Sequence, residues 1–153
     1  MAEVWQLRMN PKSVAYWIAT VLIAAETLAG GGTDLAHGRS GLVAGTPVVD
    51  VVTSLGYPIF VLTILGVWKV LGGATLLAPG LPRLKEWAYA GIVFELTAAA
   101  ASLLVRGYGV GDVAPPLVLA ALALTSWALR PPSRMLGSVL PGRPTQPSRE
   151  LVA

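Results

Sequence analysis

The sequence predicts an all-α integral membrane protein: a four-helix bundle with a short amphipathic helix between its first two membrane helices. Three observations predict it. Hydrophobic residues make up 54% of the 153 residues and charged residues 12%, against about 25% in a soluble domain; mean hydropathy is +0.66. The apolar residues gather into four runs, each about long enough to cross a bilayer. Basic segments then alternate with the other connections along the chain, as an even number of crossings requires. The length fits one domain.

Residues 1–12 are polar and mixed, with Trp5, Arg8 and Lys12, and read as a cytoplasmic N-terminal segment. Pro11 and Ser13 make a helix start, and the first membrane helix is expected over about 13–34. Tyr16 and Trp17 lie near its start, where interfacial aromatics are enriched. Gly30-Gly31-Gly32 loosens its far end and Asp34 closes it. Basic residues before an apolar run also suit a signal peptide. This run, however, is too long for that role, contains Glu26 and lacks an A-x-A cleavage pattern, so it reads as a retained helix.

The connection 35–58 is apolar at its centre, Thr46 to Leu55. With Thr46 as cap and Pro47 in the first helical position, it reads as an amphipathic helix on the membrane surface. Val48, Val49, Val51 and Val52 also favour a strand, but an isolated strand there would have no partner. Gly56-Tyr57-Pro58 turns the chain into the second membrane helix, about 59–78, which carries Lys69 at its middle. Pro79 to Pro82 ends that helix, and Arg83, Lys85 and Glu86 are assigned to the loop that follows. The third helix is expected over about 84–105, with Trp87 and Tyr89 near its start. Arg106 to Gly109 is a turn. The last helix spans about 113–130, with Pro115-Pro116 in its first turn and Trp127 and Arg130 at the other interface. Residues 13–130 thus form the membrane domain. The Pro-, Ser- and Arg-rich tail 131–153 reads as a disordered cytoplasmic segment, with Met135 to Leu140 touching the membrane.

Orientation follows from charge. Arg8 and Lys12, then Arg83 and Lys85, then Arg130, Arg134, Arg143 and Arg149 fall on one side; Arg39 and Arg106 on the other are offset by Asp34, Asp50 and Asp112. The positive-inside rule puts both termini in the cytoplasm. The net charge of +3 does not point to nucleic acid, because the basic residues flank apolar runs. With no cysteine the chain has no disulfide, thiol nucleophile, iron–sulfur cluster or cysteine zinc site, and its single His37 excludes a bis-histidine haem. No Gly-x-Gly-x-x-Gly or Walker lysine pattern suggests a nucleotide site.

Three charges fall inside the apolar runs: Glu26, Lys69 and Glu95. A lysine at the bilayer centre costs roughly 2.5–3.5 kcal/mol on insertion scales and is normally paired and functional. Gly66, Lys69 and Gly73 share one helix face, and Gly91, Glu95, Ala98, Ala99 and Ser102 another. Such small-residue stripes let membrane helices approach, so both are expected to face the bundle interior. Lys69 and Glu95 each lie about 15 Å into oppositely directed helices, which makes them an ion pair, with Glu26 as a second acid close by. The candidate ligand-binding set is Glu26, Lys69 and Glu95, with Asp34 over the pocket mouth and Trp68 and Ser102 beside them. Glu26, Lys69 and Glu95 are the catalytic set if the protein is an enzyme. Trp68, Trp87, Tyr57 and Tyr89 read as packing or interfacial anchors in preference to cofactor platforms. Thr125 and Ser126 are expected to bond back within their own helix, and His37 to be a solvated loop residue. No metal site is expected.

The segments Leu55 to Ser102 and Ser126 to Arg134, with Tyr16-Trp17-Ile18-Ala19 and Gly30-Gly31 followed by Asp34-Leu35, resemble the DoxX-like family of small membrane proteins over about residues 14–134. The resemblance implies a four-helix bundle in a bacterial inner membrane. The broader family is named from a membrane subunit associated with thiosulfate:quinone oxidoreduction, which makes a quinone a possible cofactor. Lys69 matches the family's lysine and Glu95 a frequent acidic position. Many members carry a histidine after the serine that matches Ser102, where this chain has Leu103, which weakens a redox reading. Function then has three candidate forms. The charges could anchor a lipophilic, quinone-like molecule. They could perform acid–base chemistry on a lipophilic substrate, such as epoxide opening or isomerisation. Or the chain could be an assembly partner of a membrane complex or of its own copies, the ion pair fixing helix register.

Overall fold

The computed structural model describes residues 11–37, 42–43 and 46–136. The expectations for residues 1–10, for Arg39 and for the tail beyond 136 lie outside the described residues. Among the described residues four helices are long and apolar enough to span a membrane: α1 (Pro11–Leu35), α3 (Phe60–Leu77), α4 (Pro82–Val105) and α5 (Val110–Ala128). The short helix α2 (Val48–Ser54) precedes α3 and buries Val51. Just before it, Leu42–Val43 and Thr46–Pro47 form a two-residue antiparallel ladder, β1 and β2. Thr46 and Pro47 thus find a strand partner after all, and the helix begins one residue later. A 3-10 turn, Pro132–Arg134, follows α5.

The connections explain the ends. Gly80 and Leu81 take positive φ (+66° and +56°), and Pro82 then opens α4 with its fixed φ and dispensable N–H. At the other end of α4, Gly107 (φ +78°) reverses the chain. Helix α5 begins at Val110, three residues earlier than expected, so Pro115 and Pro116 lie inside it and not in its first turn. The carbonyls of Gly111 and Asp112 therefore lose their helical donors.

The helices form a closed ring in which α1 packs on α3 and α5, and α4 packs on α3 and α5. The tightest seam is α1 on α3. A Cβ on Gly66 would stand 2.8 Å from Leu35 Cγ and 2.9 Å from the Gly31 carbonyl; one on Gly73 would stand 2.7 Å from Leu28 Cγ. Only glycine permits this backbone approach. The stripe on α3 is therefore interior. The stripe on α4 is not: Gly91, Ala98 and Ala99 are exposed, and the inward face instead carries Lys85, Tyr89, Ile92, Ala100 and Leu103. Lipid accepts either face of so uniformly apolar a helix, so small residues alone could not fix its rotation.

The apolar core joins all four helices through Ile23, Ala24, Leu76, Tyr89, Ile92 and Ala123. Beside it runs a buried chain of hydroxyls. Thr20 donates to the Tyr16 carbonyl (2.7 Å), and Ser126 lies 2.7 Å from both Thr20 Oγ1 and Tyr89 Oη. Each hydroxyl has one proton, so the chain runs from Tyr89 to Ser126 to Thr20 to the Tyr16 carbonyl. Ser126 thus bridges helices where a bond within its own helix was expected; Thr125 makes that local bond, to Ala121 (2.8 Å).

The end of the bundle that holds the α3–α4 turn is closed by cations. Lys85, assigned to a loop from the sequence, lies in the first turn of α4 with no exposed surface. Its Nζ donates to the carbonyls of Thr75, Leu76 (2.9 Å) and Ala78 (2.6 Å). These are orphan acceptors at the negative end of α3, and one ammonium satisfies them together. Arg134 adds a bond to the Leu76 carbonyl (3.2 Å) and stacks over Trp17. Arg130 pairs with Glu86 (2.8 Å) and lies over the rings of Tyr89 and Trp127.

Removing the Lys85 ammonium leaves the Thr75 and Ala78 carbonyls without their side-chain donor and the Leu76 carbonyl with Arg134 alone. Lys85→Met is expected to destabilise the bundle by about 2 kcal/mol or more, lowering its thermal midpoint in detergent by about 4–8 °C. The exposed neighbour variant Arg83→Met should stay within about 0.5 kcal/mol of the parent. Equal midpoints for the two variants would show that Lys85 does not hold the end of α3.

Candidate functional site

Lys69 sits midway along α3, and the α1 seam decides where its side chain goes. The position of a Cβ on Gly31 lies 2.9 Å from Lys69 Cβ, so the glycine makes room for the root of the lysine against α1. From there Nζ reaches two carboxylates on different helices: Asp34 Oδ2 of α1 at 2.8 Å and Glu95 Oε1 of α4 at 2.9 Å. Asp34 is 4% exposed, whereas Lys69 and Glu95 retain 18% and 23%. Asp34 is also the second-last residue of α1, where the helix dipole disfavours an anion. The lysine offsets that cost.

Glu26 is near but not in this contact. Its Oε1 and Lys69 Nζ lie 3.7 and 3.6 Å from the position a Cβ on Gly30 would take. Gly30 therefore leaves space for both charged tips on one flank of α1. Three carboxyl groups thus surround one ammonium, two of them in direct contact with it. The low dielectric makes such an arrangement costly unless every member is paired or reaches a polar ligand.

Beside the pair a cleft of about 580 Å³ opens between α3 and α4. Trp68, Lys69 and Gly72 line it from α3, and Trp87, Gly91 and Glu95 from α4. Lys69 and Glu95 close one end; Thr75 and Leu84 lie at the other. The two cleft glycines differ from those of the α1 seam. A Cβ on Gly72 or on Gly91 would meet nothing within 4 Å, so packing does not require glycine at either place. Each lies about one helical turn from the charged pair, on opposite walls. Trp68 and Trp87 stand at the outer edge, 68% and 80% exposed.

The other candidate residues fall elsewhere. Asp34 and Glu26 stand behind Lys69 on α1 and do not line the cleft. Ser102 lies 2.9 Å from Tyr57 Oη and ties the α2–α3 connection to α4. On the same flank Ser54 meets Tyr108 (3.1 Å). His37 is exposed, with φ +58°. A smaller cavity of about 410 Å³, lined by Glu86, Trp127, Arg130 and Met135 among others, lies at the cation-closed end. Among the described residues no group of three or more His, Asp or Glu is placed to hold a metal ion.

Two features escaped sequence reasoning. Asp34, expected at the helix end and over the pocket mouth, is instead a direct partner of Lys69; it follows Glu26 and Gly30 at four-residue steps, a spacing that keeps all three near one helix face. Lys85 looked like one more basic loop residue, and nothing local to it signals burial.

The arrangement offers a polar head site, one amine and one carboxylate, at the end of an apolar slot that opens sideways. Glu95 is the one carboxyl that lines the slot. No curated protein and no solved structure matches the chain. A family model described as DoxX-like matches residues 18–126, which include Glu26, Asp34, Lys69 and Glu95 and reach into all four membrane helices, and the chain belongs to that family.

Proposed function

We propose that this multi-pass membrane protein binds a lipophilic small molecule in the α3–α4 cleft, with the polar end of the ligand on Lys69 and Glu95. One observation carries the reading: the charged pair closes an apolar cleft that packing does not require to stay open. An ion pair kept only to fix helix register would need no space beside it, and buried pairs are weak sources of stability. The cleft volume falls within the range of small-molecule sites, and its lining, mostly apolar with a few convergent polar groups, has their usual composition. A quinone-like ring with an isoprenoid tail is one ligand of this shape. Acid–base chemistry on the ligand would rest on Glu95, with Glu26 acting only through Lys69.

Breaking one partner of a buried pair costs about 3–5 kcal/mol, whereas neutralising every partner is often tolerated. The charge-free variant Glu26→Gln, Asp34→Asn, Lys69→Met, Glu95→Gln is therefore expected to remain a folded bundle. Native mass spectrometry of the parent, released from mild detergent, should show a retained small molecule that this variant loses. Gly91→Leu should lose it too, by filling the slot, with helix content and thermal midpoint unchanged. Retention of the same ligand mass by both variants would remove the cleft from consideration and favour a partner-binding role.

We further infer an orientation in which the end closed by Lys85, Arg130 and Arg134 faces the cytoplasm of a bacterium, the membrane being the inner one. Lys12, Arg83, Arg130 and Arg134 cluster there, while Asp50 and Asp112 lie at the opposite end. Single cysteines placed at Arg83 and at Asp112 test this with a membrane-impermeant thiol reagent on intact cells. Labelling at position 112 only is expected; labelling at position 83 only would reverse the orientation.

A further inference from the structure

Resting on the binding reading above, the charge balance of the site restricts the chemistry of the ligand's head. We propose that the cleft accepts a head group that donates hydrogen bonds, neutral or cationic (an alcohol, a phenol or an amine), and refuses carboxylate and phosphate heads.

The argument begins with what faces the slot. Lys69 is the one cation among its lining residues and Glu95 the one anion. Two of the three ammonium N–H groups are already committed, at 2.8 Å to Asp34 and 2.9 Å to Glu95, so two carboxylates already offset its charge. Glu95 uses one oxygen on Lys69, and among the described residues its second oxygen has no hydrogen-bond donor. A carboxylate oxygen only accepts. The group that complements it is a donor, and a charged donor makes the stronger bond.

The groups behind the lining act in the same direction. Asp34 and Glu26 place two more carboxyls around the same ammonium, so acidic groups outnumber basic ones at this end of the slot. Among the described residues no further cation lines it. Lys85 is sealed onto the carbonyls at the end of α3, and Arg130 is paired with Glu86. An anionic head would therefore stand beside Glu95 in low dielectric with no free cation among the described residues to meet it, a like-charge juxtaposition of the kind that rejects ligands. Below the head, Gly72 and Gly91 leave both walls bare for one turn, and Trp68 and Trp87 flank the way out to lipid. An apolar chain fits that passage.

The test uses three decyl probes with a diazirine in the chain and an amine, alcohol or carboxylate head. Each is photo-crosslinked to the full chain in nanodiscs of zwitterionic lipid. Labelling of the peptides holding Trp68 and Trp87 is read against the peptide holding Val118, a lipid-exposed residue of α5 that reports membrane partitioning alone. A like-charge penalty of even the smallest expected size corresponds to about tenfold or more, so amine and alcohol should exceed carboxylate by that factor after normalisation. Glu95→Gln should erase the advantage of the amine. Lys69 keeps Asp34 as partner in that variant; if it nonetheless fails to fold, the comparison of heads on the parent chain decides alone. Equal or stronger cleft labelling by the carboxylate overturns the head-group assignment and leaves the binding site standing. Labelling by no probe above the Val118 level overturns the binding reading and this assignment together.

Discussion

One ammonium shared between two helices organises the structure. Lys69 belongs to α3, Asp34 to α1 and Glu95 to α4, so a single side chain ties three of the four helices near the middle of the bundle. In water such contacts are worth little. In the bilayer the alternative to pairing is an isolated charge in hydrocarbon, which makes the arrangement obligatory once any one member is present. The rotation of α3 and the close approach of α1 follow. Gly31 and Gly66 allow the backbones to meet, and the lysine root then has one direction left, along α1 toward its end.

The glycines divide the molecule into a closed half and an open one. Those of the α1–α3 seam have neighbours within 2.7–2.9 Å of where a Cβ would be, so they serve packing. Gly72 and Gly91 have none, and they border the cleft. The same residue type, in helices of similar apolarity, therefore does opposite work. In α1 and α3 it removes space between helices; between α3 and α4 it leaves space. That contrast, more than the presence of charge, distinguishes a cleft from a packing defect.

Much of the fold was legible because the bilayer enforces it. Four apolar runs, the turns at Pro79 to Pro82 and Arg106 to Gly109, and the short helix before α3 all follow from length and composition. The depth of Lys69 and Glu95 could be read by counting residues. Rotation could not. On α4 nearly every residue is acceptable to lipid, so Gly91, Ala98 and Ala99 looked interior when they face outward. Long-range polar pairing was equally hidden. Ser126 satisfies itself across helices, and Lys85 is used by carbonyls of a helix that ends before it. Both were judged by local rules, and both answer to a partner that only the folded ring supplies. Asp34 is the intermediate case, since its spacing from Glu26 carried a signal that the end-of-helix position obscured.

The two ends of the cleft restrict how a molecule could reach the charged pair. At one end, the orphan carbonyls of α3 are sealed by Lys85 and Arg134, and the hydroxyl chain from Tyr89 to Thr20 is internally satisfied. A polar head passing that way would have to break bonds that have no replacement in hydrocarbon. At the other end, the links of Tyr57 to Ser102 and of Ser54 to Tyr108 hold the α2–α3 connection against α4 and the turn after it. The side facing lipid carries no such bonds. Trp68 and Trp87 are largely exposed there and line the cleft together with Gly72 and Gly91. For the proposed ligand, lateral passage from the bilayer would be the route of least cost. It suits a ligand already dissolved in the membrane, whose tail stays in hydrocarbon throughout and whose head alone exchanges one polar environment for another.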